Sequence, residues 1–385
     1  MTVFHLISSE GYYGAEAMLL ALARSSSTLG CKNVVGVFRD SRQAHTEIAD
    51  RARQVGLPVE TIACRGRWDW RAVRLLHELL DEHKVDVLHT HGYKADFYGY
   101  AAAWPNRVAL LSTCHNWPNK QPLMRAYASL DRLVLRGFDR VVAVSDSVAV
   151  ILRRSGFAAG KMAVIPNGVD VQYFSAAAPT LHFERSGEQR RLVGFVGRLV
   201  ECKGGSVLLC AAQKVLAAYP DAVFVLVGEG PLHDEWEGLA VRLGIAGSVV
   251  FLGAQADMPG IYASLDMLVL PSLDEANPMC VLEALVAGTP VIATRVGALP
   301  ELIVPGVTGM LVEAGDAVGL ADAVLRLLRD PQLARRLGEN GRVHVARDFS
   351  AASMATRYLE QYGRALAAQP GQTERLAYSV NRTRT

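Results

Sequence analysis

The sequence predicts an α/β protein made of two domains, each built on a parallel sheet. Three observations lead there. Short β-branched runs alternate with helical stretches, the pattern of strands joined by crossover helices. The alternation stops in a segment without period, residues 175–190, and then restarts. The chain has 385 residues, more than one core comfortably holds.

In chain order, the first half offers strands at residues 3–7, 33–38, 59–63, 85–89, 108–112, 141–145 and 162–165. Helical patterns lie between several of them, the first at residues 17–23. Pro166-Asn167-Gly168-Val169-Asp170 is a turn cluster that ends the series. After the aperiodic segment come strands at 191–197, 222–228, 248–252, 267–270 and 291–293. Helical stretches follow at 205–219, 232–243, 318–328 and 351–366, and the polar end is expected to fray. The expected partition is therefore a domain over 1–174, a linker over 175–190, a second domain over 191–350, a helix over 351–367 and a frayed tail over 368–385. Two such halves are expected to face each other across a cleft at the carboxyl ends of their strands.

Half of the residues are apolar, 20% are charged and the net charge is +2, so no nucleic-acid partner is expected. No apolar stretch is long enough to span a bilayer, and the N-terminus reads as a strand rather than a signal. Six scattered cysteines without paired spacing suggest reduced thiols in a cytoplasmic protein.

The densest chemistry follows the apolar run Met267-Leu268-Val269-Leu270-Pro271. Glu275 falls in the strand-to-helix loop and Glu283 in the helix, with Pro278 in its first turn and Gly288 closing it. Two carboxylates are thus aimed at the edge of a sheet where open α/β folds bind ligands. From position alone they suit a general acid and base, or two hydroxyl acceptors. The loop Gly197-Arg198-Leu199-Val200-Glu201-Cys202-Lys203-Gly204-Gly205 offers a planar fork, a point cation and free amides, the groups a diphosphate needs. Its spacing is not that of a Walker A loop.

Gly11-x-x-Gly14 after the first strand suits either an ordinary tight turn or close approach to a phosphate. His89-Thr90-His91 follows a strand, as a metal-binding pair can, but no further cluster in the sequence completes such a site. His115 at a strand end suits a substrate hydrogen bond, a proton shuttle or a structural role. With no D-x-D in the chain, a metal-bridged diphosphate is unsupported, and no metal site is expected. Residues 65–71 and 120–136 mix basic and apolar side chains. They suit peripheral contact with an anionic membrane or, more commonly, core-facing helices with a solvated basic side.

Taken together, these stretches resemble the family-4 (group 1) retaining glycosyltransferases of the GT-B fold. The carriers are Gly14-Ala15-Glu16, Ser145 and Ile165-Pro166-Asn167-Gly168-Val169-Asp170 in the first half. In the second they are Val196-Gly197-Arg198-Leu199 with Lys203-Gly204, Val227-Gly228-Glu229-Gly230-Pro231, and Pro271-Ser272 with Glu275 through Glu283. The resemblance implies two Rossmann-like domains, the first on the acceptor side and the second holding a nucleotide-sugar donor. It also implies a last helix that crosses back to the first domain. Glu275 would reach the donor sugar, Glu283 the ribose hydroxyls, Arg198 and Lys203 the diphosphate, and Gly14 would approach the diphosphate from the other domain. His115 would lie near the donor sugar and acceptor.

Such enzymes commonly transfer with retention, without a metal or other cofactor, and build bacterial envelope or exopolysaccharide glycans. The expected donor is a UDP-sugar, with a GDP-sugar next, and the expected acceptor a glycan or lipid-linked sugar. The expected location is the cytoplasm, including the inner face of its membrane. Many members carry Gly-Phe-Gly after the first glutamate where this chain has Ala276-Asn277-Pro278. Pro278 has no amide to offer a sugar, which leaves the amides of Met279 and Cys280. A nucleotide-sugar epimerase and a non-catalytic nucleotide-sugar-binding partner of an assembly complex are the alternatives.

Overall fold

The computed structural model describes residues 1–9, 11–40, 46–66, 68–103, 108–115, 122–185 and 188–369. Arg67, residues 116–121 and the tail from 370 lie outside the described residues. Two compact units form, Met1–Gly168 with Ala351–Thr385, and Val169–Ser350.

In the first unit strands and helices alternate as β1 (Thr2–Ile7), α1 (Gly14–Thr28), β2 (Lys32–Asp40), α2 (Glu47–Gln54), β3 (Val59–Cys64), α3 (Trp70–Glu82), β4 (Val87–His91), α4 (Tyr93–Ala103), β5 (Ala109–Cys114), α5 (Pro122–Leu135), β6 (Arg140–Ala143), α6 (Asp146–Arg154) and β7 (Met162–Val164). All strands are parallel, in the order β3-β2-β1-β4-β5-β6-β7. Every residue of β4, β5 and β6 is buried, as a parallel sheet covered on both faces requires. The strand order reverses between β1 and β4, the place where such sheets bind ligands. Ser145 caps α6 by accepting from the Val148 amide.

The second unit comprises α7 (Val171–Ser175), β8 (Glu184–Arg185), β9 (Glu188–Gln189), β10 (Arg191–Val196), α8 (Gly205–Ala218), β11 (Ala222–Val227), α9 (His233–Arg242), β12 (Val249–Gly253), α10 (Met258–Ser264), β13 (Met267–Leu270), α11 (Met279–Ala287), β14 (Val291–Thr294), α12 (Leu299–Leu302), β15 (Gly309–Val312), α13 (Ala317–Arg329) and α14 (Pro331–Asp348). Its sheet runs β12-β11-β10-β13-β14-β15, again parallel, with its reversal between β10 and β13. The segment read as a linker carries the small β8–β9 hairpin, and the amides of Thr180 and Leu181 both donate to Ser264 Oγ.

The last helix, α15 (Ala351–Ala368), belongs to the first unit. Tyr362 OH bonds His89 Nδ1 and Tyr358 OH bonds Thr113 Oγ1, each at 2.8 Å. Arg140 Nη2 donates to Gln361 Oε1 at 2.5 Å. These bonds tie α15 to β4, β5 and β6, and α15 also packs on α1.

Three local expectations change. His89-Thr90-His91 does not follow a strand but forms the end of β4, fully buried. Pro278 precedes α11 as its N-cap with φ −74°, so Met279 is the first helical residue. On α5 Ala128 and Leu135 face the core as expected, but Asp131 is buried with them while Leu130 and Leu133 are exposed. All six cysteines are free thiols.

Candidate functional site

Two loops meet at the switch point of the second sheet. One leaves β10 through Gly197 and Arg198, makes a single 3₁₀ turn over Glu201–Lys203 and enters α8 through Gly204. A Cβ on Gly204, at φ +71°, would lie 2.0 Å from the Pro271 carbonyl oxygen, so glycine is what lets the loops touch. The other loop runs from β13 to α11. The Leu273 amide donates to the Cys202 carbonyl at 2.7 Å and joins the two.

This approach brings Lys203 Nζ to 2.5 Å from Glu275 Oε1, and Ser272 Oγ donates to the same oxygen at 2.7 Å. Only 7% of the Glu275 side chain and 18% of that of Lys203 is exposed. Burial pulls the Lys203 ammonium down, but Glu275 outweighs it and holds Lys203 above its ordinary range. From the far side Gly297, at φ +51°, packs against the Glu275 backbone, where a Cβ would lie 1.6 Å from the carbonyl oxygen.

Glu283 lies farther along α11, where Tyr262 OH of α10 donates to its Oε2 at 2.7 Å. Burial lifts Glu283 to about 7, opposed by the Tyr262 bond. Burial also lifts the Cys280 thiol to about 12, which leaves it un-ionised at neutral pH. Met279 and Cys280 carry the first amides of α11, which have no carbonyl one turn back to receive them. Arg198 is exposed in the same loop as Lys203. Of the residues singled out in the sequence, the structure thus groups Lys203 with Glu275 and Cys280, with Glu283 on the same helix as Cys280. Tyr262, Ser272 and Gly297 join them without having been assigned a role from the sequence. A cation, helix-start amides and two carboxylates in this arrangement suit a diphosphate flanked by hydroxyls.

A pH dependence follows from Glu283. Between its ordinary value of 4.5 and about 7 the folded protein binds the proton that the unfolded chain releases. Its contribution to stability therefore falls as pH rises through that window. An ionised carboxylate accepts hydroxyls better, so affinity for a ligand held there is expected to rise through about pH 7. Glu283→Gln is expected to flatten both profiles. Melting curves and titrations from pH 5 to pH 8 check this; an unchanged slope in the variant would exclude Glu283 as the source.

Gly14 and His115 belong to the first unit. Gly14 opens α1, and Glu16 Oε2 accepts from the Tyr13 amide at 3.0 Å, so Glu16 secures the helix start. His115 follows β5, with its Nε2 3.5 Å from His91 Nδ1. His91 Nε2 lies 3.4 Å from His5 Nδ1, and His5 Nε2 lies 3.1 Å from Asn33 Oδ1. Burial lowers His5 and His115 to about 4, and lowers His89 and His91 well below their ordinary value, so all four rings are neutral at pH 7.

His89 and His91 have no companion nearby in sequence, yet His5 of β1 completes a cluster with one ligand atom from each ring within 4.8 Å of the others. His5 lies opposite His89 in the β1–β4 register, a neighbourhood that only the sheet order reveals. Every ring nitrogen of these three already has a protein hydrogen-bond partner.

Residues 12–173 match the family model for Glycosyltransferase Family 4, and residues 180–344 that for Glycosyl transferases group 1. A D-inositol 3-phosphate glycosyltransferase from Actinosynnema mirum is 32% identical over 314 residues, 73% of this chain and 72% of the relative. An N-acetyl-alpha-D-glucosaminyl L-malate synthase from Bacillus anthracis is 28% identical over 299 residues, 76% and 78% of the two chains. Among solved structures, Anabaena HepE in complex with UDP and glucose superposes with a TM-score of 0.82 at 22% identity, covering 94% of this chain and 99% of HepE. Sucrose-phosphate synthase from Thermosynechococcus elongatus gives 0.79 at 22%, covering 96% and 100%.

Proposed function

The chain belongs to the family-4, group 1 glycosyltransferases, and on that premise we propose that it transfers a sugar from a nucleotide diphosphate sugar with retention of configuration and without a metal. The observation that carries the proposal is the Lys203–Glu275 pair at the switch point of the second sheet. An ammonium has three donors and spends one on Glu275, so two remain for diphosphate oxygens. Arg198, in the same loop, adds the planar fork. Glu283 accepts the ribose hydroxyls, and Glu275 those of the transferred sugar.

Glu275 Oε1 is already engaged by Lys203 and Ser272, which supports a positioning role. The leaving phosphate then takes the acceptor's proton, on the face from which it departs. From the first unit, Gly14 approaches the diphosphate and His115 lies near the donor sugar and the acceptor. A UDP-sugar is the favoured donor, since HepE binds UDP, with a GDP-sugar next.

The acceptor is a glycan or lipid-linked sugar in envelope or exopolysaccharide synthesis. A small hydroxylated acceptor is a second reading, favoured by relatives whose names give inositol phosphate and malate. The proposed location is the cytoplasm. Among the described residues no helix is long and apolar enough to cross a membrane. Exposed Trp68, Trp70 and Leu133 support peripheral contact with an anionic membrane, checked by retention on anionic vesicles at low salt.

A thermal-shift screen against UDP, GDP and ADP and their sugars tests the donor. Proton NMR of the product then tests retention. One nucleotide series is expected to raise the melting temperature, and the product to keep the donor's anomeric configuration. No shift with any series, or an inverted product, would contradict the proposal.

A further inference from the structure

His115 stands at one end of a chain of imidazoles, and at the other end is an amide of fixed orientation. Asn33 Nδ2 donates to the Ala23 carbonyl at 3.0 Å and to Ser27 Oγ at 2.9 Å. A carbonyl only accepts, and Ser27 directs its own proton to that same carbonyl at 2.8 Å. The amide therefore has one orientation, and Asn33 Oδ1 is an acceptor. His5 Nε2, 3.1 Å away, must carry the ring's proton, which leaves His5 Nδ1 bare. That nitrogen faces His91 Nε2 at 3.4 Å, so the His91 proton sits on Nε2 and its Nδ1 is bare. His91 Nδ1 in turn faces His115 Nε2 at 3.5 Å, which places the His115 proton on Nε2.

We infer that Asn33, acting through His5 and His91, fixes the tautomer of His115 so that it meets its substrate with a bare Nδ1, as an acceptor for a sugar hydroxyl. The inference rests on the reading of His115 as a residue beside the reacting sugars. It makes Asn33, His5 and His91 positioning residues, spread over β2, β1 and β4 behind a side chain that follows β5. The chain is a lock and not a proton wire. An amide oxygen holds no proton at neutral pH, so a proton arriving at His115 has nowhere to go beyond His5. His89 stands beside the chain, its ring centroid 4.2 Å from that of His91, but its nitrogens bond Tyr362 OH and Thr113 Oγ1. Its tautomer is thus set separately.

Heteronuclear NMR of the full chain, labelled at histidine nitrogen, reads the tautomers directly, with His115 assigned by difference against His115→Gln. Protonated Nε2 and bare Nδ1 are expected for His5, His91 and His115 at neutral pH. A proton on Nδ1 of His115 would overturn the inference. Asn33→Ala and His5→Phe cut the chain in two separate places. Each is expected to put His115 in exchange between tautomers and to lower kcat about tenfold or more, with KM for the sugar nucleotide unchanged. If either variant folds and keeps His115 fixed on Nε2, the lock does not exist. If His115→Gln transfers sugar as fast as the parent, the functional reading of His115 fails, while the spectra still decide the tautomer.

Discussion

Replacing Glu275 with alanine is expected to lower transfer about 100-fold or more, and to destabilise the second unit by about 3 kcal/mol. The substitution leaves the Lys203 ammonium, mostly buried, without its carboxylate, and Ser272 Oγ without its acceptor. It also removes the group assigned to the donor sugar. Glu275→Gln separates the two effects, because an amide oxygen still accepts from Ser272 and fills the same space. The glutamine protein is expected to melt closer to the parent yet remain slow. Steady-state kinetics beside melting curves decide the matter. A glutamine variant with parental turnover would remove Glu275 from the site.

Gly297→Ala, at a position assigned no ligand contact, is expected to be nearly as damaging. A side chain at φ +51° is strained by about 1–3 kcal/mol wherever it stands. Here the added carbon would also lie 1.6 Å from the Glu275 carbonyl oxygen, so the loop carrying Glu275 must shift. A displacement of that order costs about 100-fold in rate. Gly306→Ala is the control, since Gly306 also has positive φ, +75°, but open space around its missing Cβ. It is expected to lose some stability and to keep its activity. Equal losses of activity in the two variants would show that loop placement is not what Gly297 secures.

Much of the fold was legible because apolar strands announce themselves. Met267–Leu270 and Ala222–Val227 are uninterrupted and fully buried, and both appear where the runs of Val, Leu and Met place them. Helix α14 was not read, although Asp330-Pro331 is a sound start signal and Asp330 caps the Leu333 amide. Its buried face includes Gly338 and Gly341, which look like helix breakers in sequence. In the structure Gly338 is small because Gly288 at the end of α11 lies against it.

The site was half legible. Lys203 and Glu275 each stood out in their own loop, but 72 residues separate them, and their pairing needs the adjacency of β10 and β13. Tyr262 was invisible for a related reason. A tyrosine in an apolar helix reads as core, and only the packing of α10 against α11 gives its hydroxyl to Glu283. His5 carried a usable signal, a histidine inside the apolar run Val3-Phe4-His5-Leu6-Ile7. A buried polar side chain needs a partner, and its partners lie on β2 and β4.

In the proposed mode of binding, the Lys203–Glu275 loops hold the diphosphate of a nucleotide sugar. Calorimetric titration of the nucleotide chosen by the thermal-shift screen, into the parent and into Lys203→Ala, tests it most directly. Saturable binding by the parent is expected, weakened about 100-fold in the variant through loss of charge-assisted bonds to phosphate. Equal affinity in both proteins would contradict the assignment.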